Sequence, residues 1–167
     1  RKYLDTMLLH GTTTVEIKSG YGLDINTELK ILKVIHHLQK THSMDIVATF
    51  LGAHMIPPEY KNDPDTYIKL VSNVLPKVKS YATFCDIFCD VGAFSIKQSE
   101  RVLKTAKSLG FRLKIHTNEF EDIGGVSLAI QLEAVSADHL DNIKHRDIVR
   151  LKESNVICVL LPGVPFF

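Results

Sequence analysis

The sequence predicts an α/β fold, six consecutive βα units of a (β/α)8 TIM-type barrel, and three observations point there. Short β-branched or apolar runs alternate along the chain with amphipathic stretches of helical period. Polar residues able to do chemistry recur at the carboxyl ends of those runs, where a parallel barrel gathers them around one mouth. No GxGxxG or P-loop fingerprint follows the first run, so the usual mark of an open doubly wound sheet is missing.

The first strand is predicted at Thr13 to Lys18. Two-residue alternation places Glu16 and Lys18 on one face, where they could pair in a polar upper layer or mark an edge. Ser19-Gly20-Tyr21-Gly22 follows and sets a phenol between two glycines, which let backbone approach a ligand closely. The same four residues would also make an ordinary turn with a packed Tyr21. A helix at about Asn26 to Thr41, with Asn26 as N-cap, leads to a strand at Asp45 to Leu51. Residues 52 to 64 then form a long loop whose prolines forbid a continuing strand or helix. Long βα loops are where barrels keep their chemistry.

Pro64-Asp65 opens the next helix, Asp65 to Ser80, and the third strand follows at Cys85 to Cys89. A helix at Lys97 to Leu109 ends on Gly110, a glycine suited to the left-handed position after a helix. Strands at Arg112 to His116, Ala134 to Ala137 and Asn155 to Leu160 complete the set, with helices at Ile123 to Gln131 and Asn142 to Ser154 between them. Gly124-Gly125 opens a helix and could meet an anion, but no phosphate motif flanks it. Six units are too few to close an eight-stranded barrel. The expected domain is therefore residues 1–167 as a partial barrel, about strands 2 to 7, lacking the first and last strands. The missing initiator Met and the apolar final run Val164 to Phe167 fit a piece of something larger.

Composition narrows the function. Twenty Lys and Arg against nineteen Asp and Glu give a net charge of +1, so no global field recruits nucleic acid or an anionic membrane. No apolar run is long enough to span a bilayer, and no signal-type segment follows Arg1-Lys2. Three cysteines, Cys85, Cys89 and Cys158, are too few for a disulfide framework and fit the cytoplasm. Cys85 and Cys89 share a strand face about 13 Å apart and cannot chelate one ion together, so buried thiols are expected.

Tyr21, His54, Asp90, His116 and His139 each fall at or just past a predicted strand end, in five successive units. One histidine on an apolar strand is usually a hydrogen-bonded core or surface residue. Three converging on one mouth form a candidate site, since imidazole binds metal or moves protons near neutral pH. His10, His36, His37, His42 and His145 lie in helical or connecting stretches and read as surface. In His116-Thr117-Asn118-Glu119 a carboxylate follows the histidine by three residues and can fold back over the strand end. A metal-bound water needs that pair: a ligand for the ion and a base for the proton. A solvated Glu119 at a helix entry would account for the spacing equally well.

These segments resemble the imidazolonepropionase family of amidohydrolases. The resemblance rests on Thr12 to Leu23, Thr49 to His54 with Pro57-Pro58-Glu59-Tyr60, and Asp86 to Asp90. It continues through Lys114 to Glu119, Ser136 to Leu140 and Leu161-Pro162-Gly163. It implies a cytoplasmic (β/α)8 hydrolase of histidine breakdown, commonly a dimer. Such an enzyme uses one Zn or Fe ion to open 4-imidazolone-5-propanoate to N-formimidoyl-L-glutamate. It implies His116 as a metal ligand, Glu119 as the carboxylate beside ring and water, His139 as the histidine near the water, and Tyr21 and His54 as substrate contacts. The family's His-x-His pair, substrate arginine and last-strand metal Asp have no counterpart, which implies that these 167 residues alone are inactive. A related deaminase or cyclic-amide hydrolase on the same barrel is the alternative enzyme reading, and a noncatalytic barrel fragment the alternative outside catalysis.

Overall fold

Strand-forming runs with apolar residues at alternate positions become six parallel strands in the computed structural model, which describes residues 1–166. Phe167, the end of the apolar final run, lies outside the described residues. The strands are β1 (Thr14–Lys18), β2 (Asp45–Ala53), β3 (Phe84–Cys89), β4 (Arg112–Thr117), β5 (Ser136–His139) and β6 (Ile157–Val159). They lie side by side in the order β1-β2-β3-β4-β5-β6, every pair parallel. Right-handed crossovers in unbroken sequence order return every helix to the same side of the sheet. A doubly wound sheet would instead reverse its order at a switch point. The sheet curls into a half-barrel with its helices outside.

The helices are α1 (Lys2–Leu9), α2 (Ile25–Thr41), α3 (Pro64–Val78), α4 (Ile96–Ser108), α5 (Gly125–Gln131) and α6 (His145–Lys152). The cap of α2 is Asp24 rather than Asn26: its Oδ1 accepts from the amides of Asn26 and Thr27 at 2.8 and 3.0 Å. A carboxylate there also complements the helix N-terminus. Asp63 caps α3 with Pro64 at the first helical position, and Ser95 with Gln98 forms a capping box on α4. Helix α6 starts at His145, three residues after its predicted start. The segment before it is tied to the end of β4, with the Asn142 amide donating to Asn118 O at 2.7 Å.

Other boundaries shift for similar local reasons. Strand β5 begins at Ser136, not Ala134, because the Ala134 amide is still bonded to Ala129 O in the turn that ends α5. Strand β2 runs two residues past Leu51, so the long loop starts at His54, and Pro58–Tyr60 within it forms a 3-10 turn. Helix α1 was not foreseen, although Leu4, Met7 and Leu8 carry helical spacing and pack on the core.

The outer strand face packs on the helices. Ile46, Ala48, Phe50, Cys85, Ile87, Leu113, Ile115 and Ala137 meet Leu32, Ile35, Val71, Leu75, Val102, Leu103 and Ala129 in one buried cluster. Gly125 belongs to this packing rather than to an anion site: a Cβ there would stand 1.9 Å from Thr117 Oγ1. Cys85 and Cys89 are free and buried as expected, and burial pushes the Cys89 thiol up to about 11. Cys158 departs from that expectation. It is exposed, because β6 has a strand neighbour on one side only among the described residues.

Candidate active site

Alternation sends the polar residues of each strand to the concave face. Lys18 Nζ reaches across it to Asp86 Oδ2 and Asp138 Oδ2, 2.7 Å from each. Lys114 Nζ lies 2.7 Å from Glu16 Oε2 and 3.8 Å from Asp138 Oδ2. Thr49 donates its hydroxyl to Glu16, and Ser136 to Asp138 Oδ1 at 2.7 Å. Glu16 and Lys18 do lie close, at 3.8 Å, but their shorter partners are on other strands. Burial alone would lower the Lys18 ammonium, yet Asp86 and Asp138 outweigh it and hold its pKa above the ordinary value. Burial alone would raise the Asp86 carboxyl, while His116 and Lys18 hold it well below the usual carboxylate range.

Above this layer the rings gather. His116 and His139 have ring centroids 5.1 Å apart, His54 lies 6.3 Å from His116, and Phe88 contacts all three. His116 Nδ1 comes within 3.0 Å of Asp86 Oδ2, yet the approach is not aligned as a hydrogen bond and Nδ1 has no such partner. His139 Nδ1 also lacks one; Glu119 Oε2 stands 3.5 Å away and Asp141 Oδ2 3.9 Å. Burial lowers the His139 pKa, the Glu119 carboxylate pulling it up and the His116 ring pushing it further down. Burial, then the His116 ring, lowers that of His54. Both rings are thus biased toward the neutral form, the form that accepts a proton or a metal.

Two buried carboxylates hold the loops at this mouth. Asp90 does not face the cavity: its oxygens accept the amides of Glu119, Phe120 and Glu121 at 2.8, 3.1 and 3.0 Å. It also takes the amide of Val91, so the backbone that carries Glu119 is pinned from β3. Glu28 on α2 accepts the amides of Gly20 and Gly22 at 3.0 and 2.7 Å. A Cβ on Gly20 would stand 2.6 Å from Leu51 O, and one on Gly22 2.8 Å from Glu28 N. These glycines therefore permit a close approach to protein. Tyr21 between them is 76% exposed, with its ring 4.8 Å from that of His54.

All five residues foreseen at strand ends lie at one end of the sheet. His54, His116 and His139 come together with Glu119, Tyr21 forms the rim, and Asp90 acts from behind. The surface histidines stay outside this group, although the His42 ring is turned inward to the Met44 amide and Asp5. Sequence reasoning passed over Asp86, Asp138 and Glu28. A carboxylate inside an apolar strand, as in Phe84–Cys89, was the available signal for Asp86. Asp86, His116 and Asp138 each bring a ligand atom within 4.8 Å of the others, a buried group that could hold a metal ion.

No family profile matches the chain. Individual sequences do. An imidazolonepropionase from Alkaliphilus oremlandii is 49% identical over 169 residues, covering 99% of this chain and 40% of the relative. One from Herpetosiphon aurantiacus is 50% identical over 176 residues, covering 99% and 41%. A third, from Streptococcus gordonii, is 48% identical over 169 residues, covering 99% and 54%. The chain is thus homologous along nearly its whole length to part of the imidazolonepropionases, and spans about 40% of the first two. Among solved structures, an amidohydrolase from Burkholderia ambifaria with bound Zn superposes with a TM-score of 0.71 at 14% identity, over 96% of this chain and 46% of that one. An adenine deaminase from Arthrobacter aurescens gives 0.69 at 16% identity, over 95% and 50%. At those identities the likeness concerns the fold alone.

Proposed function

We propose that the chain is the middle part of an imidazolonepropionase barrel, residues 1–167 supplying about strands 2 to 7. The whole protein then hydrolyses 4-imidazolone-5-propanoate to N-formimidoyl-L-glutamate. The observation that carries this reading is the meeting of His116, His139 and Glu119 at one end of a parallel sheet, in a chain about half identical to imidazolonepropionases.

The residues present suit one ion. His116 is buried with Asp86 Oδ2 3.0 Å from its Nδ1, which leaves the other ring nitrogen for an ion, and imidazole suits both Zn and Fe. In this reading His116 is one ligand and the others lie outside these residues. When bound, such an ion supplies Lewis acidity, polarising the ring carbonyl and making water acidic.

The chain's own side chains account for the proton movements. Glu119 takes a proton from water as its oxygen bonds to the ring carbonyl carbon. The ring C–N bond then breaks, and Glu119 returns the proton to the departing nitrogen. His139, neutral because burial lowers its pKa, accepts a hydrogen bond from the same water and fixes its approach. Tyr21 and His54, at the rim, contact the substrate. The test is to give the whole protein 4-imidazolone-5-propanoate and follow the product. Formation of N-formimidoyl-L-glutamate supports the reading, whereas no ring opening, or ammonia release from a nucleobase instead, removes it.

A further inference from the structure

By donor type, Asp86, His116 and Asp138 make a divalent-cation site, buried and with ligand atoms within 4.8 Å of one another. The position between its two carboxylates is already filled by a cation. Lys18 Nζ lies 2.7 Å from one oxygen of each, a charge-assisted ammonium distance. Zinc and magnesium need oxygens at about 2.0–2.2 Å, so each carboxylate would have to close in by roughly half an ångström. The cage is dimensioned for an ammonium. Lys114 reinforces it from the Glu16 side, so three carboxylates face two ammonium groups across the concave face. His116 turns Nδ1 to Asp86 Oδ2 at 3.0 Å. That is where an outer carboxylate sits beside a metal-binding histidine whose other ring nitrogen takes the ion.

We propose that Lys18 is the resident cation of the Asp86, His116 and Asp138 cluster: its ammonium excludes a divalent ion there and holds the Asp86 carboxylate in place beside the His116 ring. Lys18 is a positioning residue, and its effect on ion binding concerns this chain's own side chains whatever substrate the whole protein uses. Removing the ammonium leaves the same donors with two carboxylates unmatched, which turns the cluster into an ion site.

Cobalt(II) titration of the whole protein, read by its visible d–d bands, tests this. With eight histidines in this chain alone, background binding is expected, so the criterion is the part that depends on Asp138. Wild type and Asp138→Asn should bind the same number of cobalt ions per chain. Lys18→Met should bind one further ion per chain, with bands that Lys18→Met/Asp138→Asn lacks. Circular dichroism establishes that each variant is folded. A folded Lys18→Met protein that gains no ion overturns the proposal, as does a wild-type protein that binds one more ion than Asp138→Asn. If Lys18→Met does not fold, Lys18→Gln, which keeps length and a donor but no charge, is held to the same two criteria.

Discussion

Glu119 Oε2 stands 3.5 Å from His139 Nδ1, joining the loop after β4 to the last residue of β5. Strict alternation would put His139 on the helix side with Ala137. A left-handed backbone at His139 (φ 80) and Leu140 (φ 65) accompanies its ring's position beside His116 instead. Such backbone is costly away from glycine and persists where surroundings impose it. Here the Leu140 amide bonds Thr117 O at 3.1 Å, and Asn142 Nδ2 bonds Glu119 O at 2.7 Å.

Glu119→Gln keeps the shape of the side chain but removes its base. In the whole protein, turnover is expected to fall by about 10²- to 10⁴-fold. Folding should be unaffected, since the ring beside this carboxylate, His139, is biased to its neutral form and stands 3.5 Å away. Near wild-type turnover would take Glu119 out of the mechanism.

His116→Ala and His139→Ala should separate ion from chemistry. In the whole protein His116→Ala is expected to lower bound metal, whereas His139→Ala lowers turnover while leaving most metal in place. Elemental analysis beside a turnover assay reads both. Equal metal loss in the two variants would make His139 a ligand as well.

Asp90→Ala leaves the amides of Glu119, Phe120 and Glu121 without their acceptor. The expected loss is about 1–3 kcal/mol of stability, the usual cost of orphaned buried donors. Hydrogen exchange should accelerate first at these three amides. Acceleration spread evenly over the sheet would mean that Asp90 supports the fold generally rather than this loop.

Stability should fall off on both sides of neutral pH. His54 and His139 have pKa values lowered from the ordinary 6.5, so the unfolded chain binds more protons below that pH and stability is lost as pH falls through it. Asp86, lowered from 3.8, adds a second loss as pH drops further below that value. Lys18, raised from 10.5, contributes in full below 10.5 and loses its contribution as pH rises through its higher folded value. Urea unfolding across this range measures all three. An acid limb that begins only below pH 4 would deny the histidines any part.

Much of the strand order and the shared end of His54, His116 and His139 was legible because both follow from periodicity, which local sequence carries. What escaped depends on which partners the fold brings to each side chain. Glu28 reads as an ordinary exposed first-turn residue of a helix until Gly20 and Gly22 are seen to donate to it. Asp90 reads as a mouth residue until the β4 loop folds over it. Asp24 took the cap from Asn26 because an Asx side chain two residues earlier reaches the same free amides, a choice that residue type alone does not decide. Asp86 and Asp138 were hidden because their reason for burial, Lys18, lies 68 and 120 residues away.

That separation has a kinetic meaning. In an unbroken strand order each new strand can add to the one just before it, so β1 to β6 can assemble in turn as the chain leaves the ribosome. Lys18, on β1, must wait for β5 before both its counter-charges are in place, and long loop closure is slow to be rewarded. Until then its ammonium stays hydrated. The concave face therefore dries late, and mutations at Lys18 or Asp138 should speed unfolding far more than they slow folding.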